Sequence, residues 1–293
     1  MDIIVQVLFG GVSIGLIYGL PALGIVLLFN TAGFFNLAQG EFLALSTYVL
    51  YQVYVLWKIP LLLSVVITVG VMIAAGLFVN LVLFTPLRKF NAKELYILIA
   101  TIALSIFMKN FMRLIWKSKP LNIMTIFPQK PLKLLGANVM PSVLWILGIS
   151  LVLIFLLYIL SQKSKLGTGM RAASEHKEAA SLMGIAVDKV IGLSFAISLA
   201  ITAVAGILST SVLYMIPEMG DSISTKAFAA TVIGGFGNPV GAIVGGIILG
   251  VIETIASMIL PASYKNAITF LLLIAFLLFK PTGIFKTSSN KKV

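Results

Sequence analysis

Asn36, Gln39 and Glu41 interrupt a long apolar region, within the stretch Asn30-Thr31-Ala32-Gly33-Phe34-Phe35-Asn36-Leu37-Ala38-Gln39-Gly40-Glu41. Upstream, Ala22 to Phe29 is entirely apolar or Gly; downstream, Phe42 to Trp57 carries one strongly polar residue, Gln52. Amides and a carboxylate are costly in hydrocarbon unless they are buried in protein or line water. These side chains offer hydrogen bonds and charge rather than a nucleophile, so their chemistry is to keep a narrow route wet for a polar solute. The spacing also predicts a helix start inside or at the edge of a membrane. The Asn36 side chain would accept from a free N–H of the first turn, and Gln39 would reach back. Broken helices of this kind form substrate paths in many transporters. Glu253 is the second intramembrane acid, deep in an apolar run. It either pairs within the bundle, with Lys226 as a partner, or sits near the far interface, or lines the path. Asn36, Gln39, Glu41 and Glu253 are therefore the candidate path residues.

Other chemistries find little support. His176 is the only His and lies in a charged loop, where it reads as solvated. There is no Cys, hence no thiolate metal site, and no metal ligation is expected. One His with scattered acids supplies no catalytic cluster, so no enzyme activity is expected of this chain. An ion-coupled secondary transporter would place carboxylates or His along several spans, and Glu41 and Glu253 stand alone.

The elements that must position these residues follow from composition. The chain has 293 residues, 60% hydrophobic and 10% charged, with mean hydropathy +1.11. Apolar runs near the ~20 residues that cross a bilayer recur along it. The expected fold is an all-α integral membrane protein, a polytopic helical bundle of about eight membrane segments with interrupted helices. It forms a single transmembrane domain over residues 1–293. The net charge of +12 sits in short loops, where it sets topology and meets lipid headgroups; no nucleic acid is expected as a partner.

Ile3 to Phe29 is one run with Pro21 inside it, either a kinked helix or a helix followed by a half-helix. Gly11, Gly15 and Gly19 recur every four residues, as close helix packing requires. Further spans are expected at Phe42–Trp57, Leu61–Phe84 (ending before Pro86), Glu94–Trp116, Ser142–Leu160, Val190–Val212, Val240–Ile259 and Ala262–Phe279. Lys109 and Arg113 would snorkel to the interface. Residues 162–187 form the most charged segment and are placed in the cytoplasm; so is the basic tail Lys286 to Val293. Parity then requires Ser222–Phe236 to be a short crossing, with the Asn238-Pro239 break facing the cytoplasm and residues 117–141 outside. The side of the N-terminus stays open. A short apolar segment, a Gly/Asn break and a long helix occur at Ala22–Tyr51 and again at Ala227–Ile259, which raises a possible inverted repeat.

In the charged segment, Ser174 can cap a short helix, Glu175 and Glu178 lie in its first turns, and Gly184 can end it. Glu178-Ala179-Ala180-Ser181-Leu182-Met183-Gly184 has the spacing of the EAA loop of ABC importer permeases. The whole chain, from Gly11 to Phe285, resembles the permease subunit of branched-chain amino acid ABC importers. The resemblance rests on Phe35-Asn36-Leu37-Ala38-Gln39-Gly40-Glu41-Phe42, Leu166-Gly167-Thr168-Gly169-Met170-Arg171-Ala172, and Glu178-Ala179-Ala180 with Met183-Gly184-Ile185. It continues in Lys226-Ala227-Phe228, Val232-Ile233-Gly234-Gly235-Phe236-Gly237, Gly250 with Glu253, and Lys280-Pro281-Thr282-Gly283-Ile284-Phe285.

What the resemblance implies is a half-transporter of the prokaryotic cytoplasmic membrane. It would pair with a second homologous permease subunit, two cytoplasmic ATPase subunits and an extracytoplasmic solute-binding protein. Arg171, Glu175, Glu178, Ala179, Ala180 and Gly184 would form the ATPase-coupling surface. Lys117, Lys119, Lys130 and Lys133 of the outer loop would meet an acidic rim on the binding protein. The sequence has no Gly-x-x-x-x-Gly-Lys-Ser/Thr phosphate loop, so no cofactor is expected in this chain and ATP with Mg belongs to the partner ATPases. The implied solute is a branched-chain or related amino acid; urea, short amides and other small polar solutes are the alternatives within the same family.

Overall fold

A computed structural model describes residues 2–90, 92–123, 127–128, 130–134, 137–261 and 264–285. The basic tail Lys286 to Val293 lies outside the described residues. Helix α1 runs unbroken from Asp2 to Ala32, through Pro21. Helix α2 (Gln39–Leu50) passes into a π-helical stretch, Tyr51–Leu56. Helix α3 (Leu61–Val79) continues through a second π stretch, Asn80–Phe84, into α4 (Thr85–Lys89). The span therefore does not end before Pro86. The π turn loosens the backbone ladder just ahead of the proline, which lacks an N–H and needs no partner there.

Helix α5 (Glu94–Trp116) leads to a long connection with a short hairpin, β1 (Leu132–Leu134) and β2 (Ala137–Val139). Then come α6 (Pro141–Lys163), α7 (Lys165–Glu175), α8 (Lys177–Leu182), α9 (Val187–Ser209), α10 (Met219–Gly234), α11 (Pro239–Ala256) and α12 (Lys265–Phe279). Six of the described helices are long and apolar enough to cross a membrane, and α12 is a shorter apolar helix. The chain is a multi-pass helical membrane protein.

The core is α1 against α11 and α9. Gly15 and Gly246 let α1 and α11 touch through their backbones. A Cβ on Gly15 would lie 2.6 Å from the Ile247 Cα, and one on Gly246 would lie 2.6 Å from the Gly19 Cα. The two helices run antiparallel, because Gly11 meets Val251 while Gly19 meets Ile243.

These contacts decide the topology. Lys177 of α8 donates to the Ala32 carbonyl at 2.6 Å, so the far end of α1 shares a face with residues 162–187. Asn30 reaches the Gly237 carbonyl at 2.8 Å, and Phe285 N–H bonds the Gly234 carbonyl at 2.9 Å. The break before Asn238 and the end of the described chain therefore share that face, and α10 crosses as parity demands. The connection after α5 lies opposite, where Leu121 pairs with Met215. The N-terminus of α1 lies on that opposite face too, an assignment the sequence left open.

Asn238 caps α11 by accepting from Gly241 N–H at 3.0 Å, with Pro239 in the first turn. The segments Ala22–Tyr51 and Ala227–Ile259 do not form an inverted pair. Both run toward the face that carries residues 162–187, break and return, whereas an inverted relation would put the two breaks on opposite faces.

Overpacking the α1–α11 seam should prevent assembly. Gly15→Leu is expected to remove the folded monodisperse species in detergent. Gly10→Ala, with nothing within 4 Å of its added methyl, should hold or raise Tm, since helical Gly to Ala gains about 0.5–1 kcal/mol. Size-exclusion profiles and thermal melts of the two variants read this out.

Candidate translocation site and coupling surface

The polar break occupies residues 33–38, and α2 begins inside the bundle rather than at its edge. The anticipated cap of α2 is not formed: Ala38 is the capping position and offers no side-chain acceptor, and the first-turn N–H of Gly40 is taken instead by Ser224 Oγ of α10 at 2.9 Å. Instead, Asn36 Oδ1 accepts from Ala38 N–H at 3.1 Å, a local turn, and Asn36 Nδ2 donates to Gln39 Oε1 at 3.1 Å. Gln39 does not reach back to the backbone. Its Nε2 points across to α9, donating to Ser198 Oγ at 2.9 Å and Thr202 Oγ1 at 2.5 Å. The α9 hydroxyls outcompete a cap because they fix α2 against another helix, not only against its own first turn. Asn36, Gln39 and Glu41 are all fully buried in the chain. Around the break, Phe35 stacks on Phe29 at 4.2 Å between centroids and meets Phe228 and Phe236 edge-on.

Glu253 and Lys226 form a buried ion pair, 2.8 Å between Nζ and Oε1. Tyr18 of α1 adds its hydroxyl, donating to Glu253 at 3.4 Å and accepting from Lys226 at 3.1 Å. Three helices, α1, α10 and α11, are thus tied through one charge pair, and Glu253 faces the bundle rather than the interface.

Glu41 lies elsewhere. Ser105 of α5 donates to its Oε1 at 3.3 Å, and its other oxygen rests against Gly220 in the first turn of α10 without a hydrogen bond. Lys109 and Arg113 do not simply snorkel. Lys109 pairs with Asp221 at 2.6 Å, and Arg113 forks onto Glu218 at 2.6 and 3.1 Å. The Arg113 hydrogen bond holds the Glu218 carboxyl below its ordinary range. Sequence reasoning missed Ser105, Asp221 and Glu218 as the groups around Glu41 and its neighbours. The signal was present: Ser105, Lys109 and Arg113 recur every four residues and so share one face of α5.

The charged segment 162–187 departs from expectation in detail. Ser174 caps nothing; it lies inside α7 and donates to the Arg171 carbonyl at 2.8 Å. Helix α7 is capped by Ser164, which accepts from Gly167 N–H at 2.9 Å. Glu175 ends α7 rather than opening a helix, while Gly184 (φ 84°) does end α8. Arg171 is exposed but spends its guanidinium on Ser161 and Thr168 of its own chain. Ala180 faces inward and is buried, whereas Glu178 and Ala179 are exposed. Leu182 and Met183 project beside them, 89% and 84% exposed. On the opposite face, Lys117, Lys119, Lys130 and Lys133 are all exposed.

A helical membrane bundle with a polar break in its interior, and with an exposed amphipathic helix hung from that break, is the membrane component of a transport system. Residues 7–277 match the family described as "Branched-chain amino acid transport system / permease component", and the chain belongs to it. It is 33% identical to the high-affinity branched-chain amino acid transport system permease protein LivH of Salmonella typhimurium, over 98% of this chain and 97% of that protein. The LivH of Escherichia coli K12 gives the same figures, 33%, 98% and 97%. BraD of Pseudomonas aeruginosa, a permease protein of the same description, is 31% identical over 98% of this chain and 97% of its own. No solved structure matches the chain.

Removing one partner of the buried Lys226–Glu253 pair should be far more harmful than removing both. Lys226→Met or Glu253→Leu alone strands the other partner's buried charge and is expected to cost about 3–5 kcal/mol. The double variant Lys226→Met with Glu253→Leu should recover much of that. Thermal melts of the four proteins, read as a double-mutant cycle, measure the coupling; independent, additive losses would contradict it.

Proposed function

We propose that this permease forms the translocation path of an ABC importer for branched-chain or related amino acids in a prokaryotic cytoplasmic membrane. An extracytoplasmic binding protein would deliver the solute, a second homologous permease would complete the path, and two ATPases would drive it. ATP and Mg would be bound by those ATPases. What supports this reading most directly is the tie between α8 and the break. Lys177 opens α8 and bonds the carbonyl of Ala32, the residue at which α1 ends and the polar break begins. A push on α8 is thereby delivered to a place in the bundle where the backbone is not helical.

The division of labour follows. Glu178, Ala179, Leu182 and Met183 present a charged, small and apolar face to the cytoplasm, suited to a groove on an ATPase. The bundle behind them supplies a route that needs little affinity, since tight binding would slow release. Asn36 and Gln39 would line this route, loosening and re-forming their bonds to α9 as α2 moves. The outer lysines Lys117, Lys119, Lys130 and Lys133 would guide the binding protein through charge. Urea and short amides remain the second substrate class, passing by the same hydrogen bonds without a charge.

Ala179→Arg should block seating of the ATPase without disturbing the bundle, because that side chain is exposed. The expected result is intact permease that no longer co-purifies with the ATPases and has lost ATP-driven uptake. Ala180→Arg should instead destabilise the permease itself, because Ala180 is buried. Unchanged co-purification and uptake in Ala179→Arg would remove this surface from the coupling path.

A further inference from the structure

The bundle holds two buried carboxylates, and they are not equivalent. Glu253 has an ammonium 2.8 Å away. Glu41 is fully buried, forms no ion pair among the described residues, and has one oxygen with no hydrogen bond at all. Its neighbours are the Ser105 hydroxyl at 3.3 Å and the carboxylate of Asp221 beside it. Lys109, the cation that faces this cluster, is held on Asp221 at 2.6 Å instead.

These groups belong to a ladder. Ser105, Lys109 and Arg113, four residues apart on α5, face Glu41, Asp221 and Glu218 in turn. The outer rungs are half-exposed, with Asp221 and Glu218 side chains 50% and 44% exposed, while Glu41 is sealed. The ladder thus grades from the outer face into the bundle. It ends two residues from Gln39, whose amide bonds the α9 hydroxyls. Every rung but the deepest carries its own cation.

We propose that Glu41, with Asp221 beside it, receives the ammonium group of an incoming solute and so selects ammonium-bearing solutes over neutral amides. A primary ammonium offers three N–H donors. The acceptors here are Glu41 Oε2, the Asp221 carboxylate and the Ser105 hydroxyl oxygen. Binding displaces Lys109 from Asp221, and the freed Lys109 ammonium then faces the solute carboxylate. The solute ammonium takes the place of Lys109 on Asp221, and the two carboxylates then face two cations, so no buried charge is stranded. A neutral amide offers no such exchange. The inference rests on the reading that this chain forms the path.

The test uses the complete transporter in nanodiscs, without binding protein, and Ser105→Cys as a reporter in a chain that has no other Cys. Labelling by a small water-soluble thiol reagent is timed with leucine, with leucinamide (ammonium, no carboxylate) or with 4-methylpentanamide (neutral). Leucine and leucinamide should slow labelling at least fivefold, and 4-methylpentanamide less than twofold. Adding Glu41→Gln should abolish the protection, read as the ratio of labelling rates with and without solute in the same variant, since Glu41 touches residue 105 and itself affects the thiol. Asp221→Asn, at a half-exposed position, repeats the test should Glu41→Gln not fold. Equal protection by the neutral amide, or protection that survives both variants, overturns the ammonium site but leaves the path. A Ser105→Cys thiol that never labels in any nucleotide state overturns both.

Discussion

A backbone that stops being helical inside a membrane bundle must find a partner for every polar group it frees, because hydrocarbon offers none. The break at residues 33–38 draws partners from three other elements. Lys177 takes the Ala32 carbonyl, Ser224 of α10 donates to the Leu37 carbonyl at 2.7 Å and accepts from Gly40 N–H at 2.9 Å, and Asn36 accepts from Ala38 N–H. Gln39 closes the set on α9. The break is therefore a junction at which α1, α2, α9, α10 and the short helix α8 are all bonded. Movement of any one changes the hydrogen bonding of the others, which suits a permease that must pass a solute without opening a water-filled hole.

The rigid part is built on a different principle. Between α1 and α11 there are almost no side chains at the closest points, only backbone on backbone at Gly15, Gly246 and Gly250. Lipid gives no hydrophobic drive for two apolar helices to associate, so close packing over a long contact has to supply it. The Lys226–Glu253–Tyr18 cluster then locks α10 to this pair with charge in a dry interior, where a stranded ion would be expensive. One seam without side chains and one buried ion pair define the frame. The shorter α2 and α10, which meet through Gly40 and Gly220, lie beside it and carry the polar residues.

The two buried acids show how similar residues take different roles. Both read in sequence as a lone Glu in an apolar run. Glu253 is complete within the chain, since cation, hydroxyl and carboxylate come from three helices packed on one another. Glu41 ends a ladder whose cations stop one rung short of it. That difference is invisible along the chain because it depends on the register between α5 and α10, helices separated by more than a hundred residues.

Residue order alone was enough for whatever local periodicity and hydropathy control. It specified a helical membrane bundle, most span positions, a polar break before α2, Asn238-Pro239 at the start of α11, and a charged helix-loop segment ended by Gly184. Each of these depends on neighbours within a turn or two, and on the cost of placing polar groups in hydrocarbon. It failed where a distant partner outcompeted a local rule. Gln39 chose Ser198 and Thr202 over its own helix start, Pro86 was absorbed by a π turn, Ser174 lay inside α7, and Lys109 met Asp221 instead of the interface. The side of the N-terminus, the inward face of Ala180 and the parallel sense of the two broken segments came only from tertiary contact. Those features are set by which helix lies against which, and hydropathy is blind to that, because every lipid-facing or core-facing stretch is equally apolar.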